Sequence, residues 1–232
     1  MKHLFVLLVA AMLIACNNQP TNQPNNKPQP KKEVPVNGVD ISHHNTVAWD
    51  SLKTCDISFV YIKASQAKTF KDPQREENYK MAKKNGYSVG FYVFWDKDIS
   101  GKDHFNNFVE ATKDCPADLP PALDLEFHMR EKGVLPKVVK EVEVFTKLYM
   151  EKYKVKPIIY ADYDVAMNVH KLNPTFQYWV NAGNDQAWNP HGKAKCNPCN
   201  QVPWVILQCG KWNFGTGDID LNYGELERIK KS

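Results

Sequence analysis

The sequence lacks any concentrated Lys/Arg stripe interleaved with aromatics, and its formal net charge is only +4 at pH 7. That balance is too mild to suggest nucleic acid, because binding a phosphate backbone needs a clustered positive field. The apolar run at the start, residues 4–15, falls short of the ~20 residues that cross a bilayer. No internal repeat is found. The acid-rich stretches also lack the marks of metal loops. In G-D-I-D-L-N at residues 217–222 acids alternate as in calcium sites, but the following Gly and Glu are absent, and no His stands at zinc-ligand spacing. Neither metal nor cofactor is therefore expected.

With 43% hydrophobic and 12% aromatic residues in 232, the chain can bury one substantial core, so disorder throughout is excluded and a single folded domain is expected. Lys2 and His3 precede the short apolar run, which matches a signal-peptide core in length. The run ends in L-I-A-C at residues 13–16, which resembles the bacterial lipobox; Cys16 would carry the lipid and become the new N-terminus. A plain signal peptide with Cys16 incidental is the alternative. Residues 17–35 hold Asn, Gln, Pro, Lys and Thr with almost nothing apolar, and read as an extended, disordered linker. The expected organisation is thus a lipoprotein signal peptide (1–16), a linker (17–35) and a catalytic domain (36–232). The expected location is the periplasmic or cell-surface face of a bacterial membrane.

Five further cysteines remain, Cys55, Cys115, Cys196, Cys199 and Cys209. Export permits disulfides, an odd number leaves one thiol over, and connectivity is not readable. The C-x-x-C at 196–199 could serve redox or zinc chemistry with His191 and Cys209 nearby. No second C-x-x-C sits at ribbon spacing, however, and the pair lies in a loop rich in Asn, Pro and Gly, so a structural disulfide or inert thiols are expected.

From residue 36 onward, short β-like runs alternate with helical stretches, the order of a parallel sheet with crossover helices. Strands are expected at 36–41, 59–63, 89–95, 122–127, 157–161, 176–182, 202–209 and 219–223. Helices are expected at 74–85, 104–113 and 137–154. The folded region is small for eight complete βα units, so the expectation is an irregular α/β barrel of the TIM type with some late helices missing or very short.

Asp124 and Glu126 carry the chemistry. Two positions apart on a strand, they share one face with Cα atoms about 7 Å apart. Near the end of an apolar strand both desolvation and mutual repulsion raise the proton affinity of one member. Glycoside hydrolysis needs this split, one acid protonated for the leaving oxygen and its neighbour ionised against positive charge. A metal site or a solvated edge is the plainer alternative for D-x-E. Asp40 ends the first strand and Asp220 lies on the last, so a barrel would bring both to the same rim. Tyr92, Phe94, Trp95, Tyr160, Tyr163, Trp179 and Trp204 crowd the strand ends, where about half would be core and the rest would pack on sugar faces. Tyr92, Trp95, Tyr160, Trp179 and Gln208 are the candidates for substrate binding.

These motifs resemble glycoside hydrolase family 25, the Chalaropsis-type lysozymes or N-acetylmuramidases. The resemblance rests on G-V-D-I-S-H at 38–43, F-V-Y-I-K-A-S at 59–65, G-F-Y-V-F at 90–94, A-L-D-L-E at 122–126, P-I-I-Y at 157–160 and D-I-D-L-N at 218–222. It implies an irregular β/α barrel that hydrolyses the β-1,4 bond between N-acetylmuramic acid and N-acetylglucosamine in peptidoglycan. It also implies Glu126 as general acid/base, Asp124 stabilising the intermediate, and Asp40 and Asp220 as the remaining acids; a monomer is expected. Two departures stand out: Gln66 replaces an acid common after K-A-[ST], and Val93 replaces the His of Tyr-His-Phe, which would remove a polar contact from the cleft. The competing readings are a non-catalytic peptidoglycan-binding lipoprotein and an exported thiol oxidoreductase.

Overall fold

In the computed structural model, residues 32–35, 37–182, 193–196 and 202–231 are described; for 32–35, 127–128 and 193–196 this is the backbone alone. Pleating sorts the strand side chains into two apolar layers. In the strand Ser88–Phe94, Val89, Phe91 and Val93 face an outer layer shared with helices, whereas Tyr92 packs on an inner layer. Phe59, Tyr61, Ile158, Trp179 and Ile206 fill that inner layer.

The strands are β1 (Lys32–Pro35), β2 (Gly38–Ile41), β3 (Phe59–Gln66), β4 (Phe70–Lys71), β5 (Ser88–Phe94), β6 (Ala122–Leu125), β7 (Ile158–Asp162), β8 (Tyr178–Asn181), β9 (Lys193–Cys196), β10 (Trp204–Asn213) and β11 (Asp218–Gly224). Eight of them close into a barrel in the order β2-β3-β5-β6-β7-β8-β10-β11, with β11 returning to β2. Pairings are parallel from β2 through β10; β11 is antiparallel to both neighbours. This is the expected α/β barrel, and β11 is where it departs from a regular TIM barrel. A hairpin replaces the last crossover helix, and a hairpin can only reverse direction.

Helices α1 (Trp49–Leu52), α2 (Arg75–Lys84), α3 (Gly101–Thr112), α4 (Val134–Tyr153), α5 (Tyr163–Leu172) and α6 (Leu226–Ile229) complete the chain. The three expected helices are present. Ser100 caps α3 by accepting from the Asp103 N–H at 3.1 Å, and Gly86, at φ 82°, follows the end of α2. Helix α4 turns Leu135, Val138, Val142 and Phe145 toward the sheet, as its apolar spacing predicts. Helix α5 was not anticipated, because its apolar stripe of Val165, Ala166 and Val169 spans barely two turns. The late helix α6 has only four residues.

The last four residues of the segment read as linker form β1 and pair antiparallel with β9. A ladder of backbone groups makes no demand on apolar composition, so nothing in the residue pattern marks it. Cys16 and the rest of the N-terminal segment lie outside the described residues, as do His191, Cys199 and the Cys196 side chain. Cys209 is disulfide-bonded, while Cys55 and Cys115 are free thiols.

Candidate active site

At the carboxyl ends of the barrel strands a cleft of about 970 Å³ opens above the inner apolar layer. All four acids line it, together with Tyr92, Tyr160, Trp179 and Gln208. Strand pairing explains the convergence. Asp124 on β6 stands level with Phe94 on β5 and Tyr160 on β7, and Asp40 on β2 is directly opposite Asp220 on β11. Two like charges in direct register repel, so the structure surrounds them with donors. Asn222 Nδ2 donates to Asp40 Oδ2 at 2.7 Å and Gln208 Nε2 to the same oxygen at 3.3 Å. Lys211 Nζ lies 3.7 Å from Asp220 Oδ1.

The supporting network runs across the barrel. Trp179 Nε1 donates to Asn222 Oδ1 at 2.8 Å, which fixes the amide so that its nitrogen faces Asp40. Tyr160 donates its hydroxyl proton to Gln208 Oε1 at 2.7 Å and is also within hydrogen-bond reach of Glu126. Each buried polar group thus fixes the orientation of the next.

Electrostatics pushes Asp40, Asp124, Glu126 and Asp220 the same way. Burial, then the Asp220 charge, raises the Asp40 carboxyl from 3.8 to about 8. Burial, then Glu126 and Asp40, lifts Asp124 well above the carboxylate range, while Lys63 opposes the shift. Burial raises Glu126 while the nearby Tyr160 hydroxyl works against the shift, and burial raises Asp220 against Lys211. Asp124 is 7% exposed, and its Oδ1 has no hydrogen-bond partner among the described residues. Asp124 and Glu126 repel each other, so their protons belong to the pair.

Four residues that the sequence reading set at the strand ends or in the cleft, Trp95, Val93, Tyr163 and Trp204, are elsewhere. Trp95 is 2% exposed and stacks on His104 with ring centroids 4.1 Å apart. It follows Phe94, which lines the cleft, so the period of two turns its indole outward beneath the helices. Val93 faces the same outer layer, and its difference from His therefore removes no contact from the cleft. Tyr163 lines a separate groove with Arg130 and Leu135, and Trp204 packs on Tyr223 with Arg228 above its ring. Gln66 and Phe94 do line the cleft.

Sequence reasoning missed Lys63, Lys211 and Asn222. Lys63 had a signal, a lone cation ending the apolar run F-V-Y-I-K. Asn222 had one too, since it stands two places from Asp220 on the same strand and so shares its face; Lys211 had none, because a β-bulge decides its direction. Gln208 pairs with Asn222 and Lys211 with Asp220, although Gln208 and Lys211 are three apart; the register shift between Gln208 and Gly210 supplies the extra residue that puts both on the cleft face.

Comparison with known proteins agrees with this architecture. The family model described as glycosyl hydrolases family 25 matches residues 39–197. Lysozyme M1 of Streptomyces globisporus is 32% identical over 198 residues, 81% of this chain and 67% of that protein. An uncharacterized protein, YegX, of Escherichia coli is 26% identical over 134 residues, 54% of this chain; the chain spans about half the length of this relative, 48%. Among solved structures, a family 25 glycosyl hydrolase from Bacillus anthracis superposes with a TM-score of 0.68 at 22% identity, covering 88% of this chain and 97% of that one. A lysozyme from Streptomyces coelicolor gives 0.66 at 21% identity, covering 85% and 98%. With the family model matching well over half of the chain, the barrel and its acid-lined cleft have a family: the chain belongs to glycosyl hydrolases family 25.

Proposed function

We propose that this protein is a muramidase that cleaves the β-1,4 bond between N-acetylmuramic acid and N-acetylglucosamine in peptidoglycan. The observation that carries the reading is the meeting of Asp124 and Glu126, on one strand end, with Asp40 and Asp220 in a single half-buried cleft. Family membership and the similarity to a Streptomyces lysozyme support it.

Glu126 is the more accessible of the central pair. In the proposed reaction it gives its proton to the glycosidic oxygen and later takes one from water. Asp124, deeper and adjacent, carries the negative charge that stabilises the intermediate, for which the substrate's own acetamido group is the neighbouring nucleophile. Asp40, held by Asn222 and Gln208, retains its proton near neutrality and spares the cleft a further negative charge. Tyr92, Phe94 and Trp212 offer faces on which sugar rings can pack.

Digestion of purified peptidoglycan with mass analysis of the fragments tests this reading. Fragments ending in reducing N-acetylmuramic acid are expected. Binding without release of reducing ends would favour the non-catalytic wall-binding alternative. The reading extends to export and lipid attachment at Cys16, supported by the L-I-A-C motif and its preceding apolar run. The mature protein should then partition into detergent and carry a diacylglycerol-modified N-terminal cysteine by mass, and a Cys16→Ser chain should do neither.

A further inference from the structure

Lys63 is a buried cation in the cleft. Its side chain is 6% exposed, and its ammonium sits 4.7 Å from the ring centroid of Phe94 and 5.7 Å from that of Phe70. Phe94 is the strand neighbour of Asp124, and Lys63 and Asp124 line the same cleft. A bulge puts the lysine there. Lys63 pairs with Tyr92 and Gln66 with Phe94, and the register shift between Lys63 and Ser65 turns both side chains into the cleft although they are three apart. Once there, Lys63 donates to Gln66 Oε1 at 2.8 Å. That acceptor is neutral. An acid at position 66 would pair with the ammonium and absorb its field, whereas an amide fixes its position and leaves the charge to act on its neighbours.

We propose that Lys63 is a positioning residue for the acid pair: held on Phe94 and tied to the neutral Gln66, its ammonium draws the shared proton off Asp124 and toward Glu126. The inference rests on the reading of Glu126 as the proton donor. Without such a cation the deeper acid would keep the proton, since burial favours the neutral form most where water is least. The other charged and titratable groups that act on Asp124 are Glu126 on its own strand, Asp40 on β2, Asp162 on β7 and the phenols of Tyr92 and Tyr160. None of these is a cation. Lys211, the other lysine of the cleft, lies against Asp220 and acts on Glu126, where it favours the charged form against burial. Lys63 opposes the raised proton affinity of Asp124, whose net direction remains upward.

Carboxyl carbon NMR of the whole domain, with Asp124 and Glu126 assigned through their Asn and Gln variants, tests the proposal. In Lys63→Met the Asp124 titration should move to higher pH and that of Glu126 to lower pH. Turnover on peptidoglycan should fall on the order of tenfold, the factor represented by one pK unit of bias, with KM little changed. Gln66→Glu leaves Lys63 in place but engages its charge, so it should displace both titrations in the same sense by a smaller amount. Lys63→Arg should restore the wild-type order. The proposal is overturned if the two carboxyls do not move in opposite directions in either Lys63→Met or Gln66→Glu. The titrations read charge rather than turnover, so a wild-type protein that released no reducing ends would defeat the muramidase reading while leaving this result to be judged separately.

Discussion

Glu126 meets four influences that a strand pattern alone could not combine. Burial favours its neutral form, the Tyr160 hydroxyl and the Lys211 charge favour the charged form, and Asp162 and Asp220 add like charge. The net direction is upward, which suits an acid that must still hold a proton near neutrality. Glu126→Gln keeps the shape and removes the proton. Turnover should fall by about 10²-fold or more, because a positioned proton donor contributes at least that factor. The melting temperature should be little changed, since the amide keeps the shape and the neutrality of the protonated acid; steady-state kinetics beside thermal melts check both halves. Near-native turnover would remove Glu126 from the mechanism. The D-x-E pattern made this residue and Asp124 legible from the sequence. Lys63 was passed over because exposed lysines are the rule and burial is not written in a single letter.

At the scale of the element, strands β3 and β10 each carry a bulge, at Ala64 and at Cys209, and each bulge delivers two polar side chains to the cleft from positions that would otherwise oppose one another. The barrel interior shows the converse economy. A Cβ built on Gly90 would lie 2.3 Å from the Tyr61 ring, and one on Gly38 would lie 2.1 Å from Phe59. These glycines leave room for the aromatic side chains that floor the cleft. Gly90→Ala should therefore cost about 1–3 kcal/mol through overpacking, seen as a lower denaturant midpoint with unchanged slope. Tyr61→Leu introduced beside it should recover part of that loss, because residues in contact do not add independently. A Gly90→Ala protein as stable as wild type would show that the ring can shift freely. Strands were readable here because apolar runs of the right length end in turn residues. The bulges were not, because an extra residue is defined only by what the neighbouring strand pairs with.

For the whole molecule, closing the barrel concentrates acids that would repel one another if all were charged. The Asp40 carboxyl rises from 3.8 to about 8 on folding, and Asp124, Glu126 and Asp220 rise with it. An acid with a raised folded value binds its proton more tightly in the native state. The stability it contributes is fully present below the unfolded value and is lost as pH rises through the folded one. Melting temperature should accordingly decline between about pH 4 and pH 8, the window set by Asp40. Asp40→Asn, whose amide oxygen can still accept from Asn222, should flatten that decline. An equal slope in the variant would mean that other groups carry the effect.

The sequence by itself determined the βα order, the D-x-E pair and the acids at the first and last strands, because strand period and residue type are local properties. Tertiary structure alone decided that Asp40 faces Asp220 across the closing seam, that Trp95 turns into the core, and that Lys63 and Lys211 enter the cleft. Those outcomes depend on register and bulges, and register exists only between strands that are far apart in the chain.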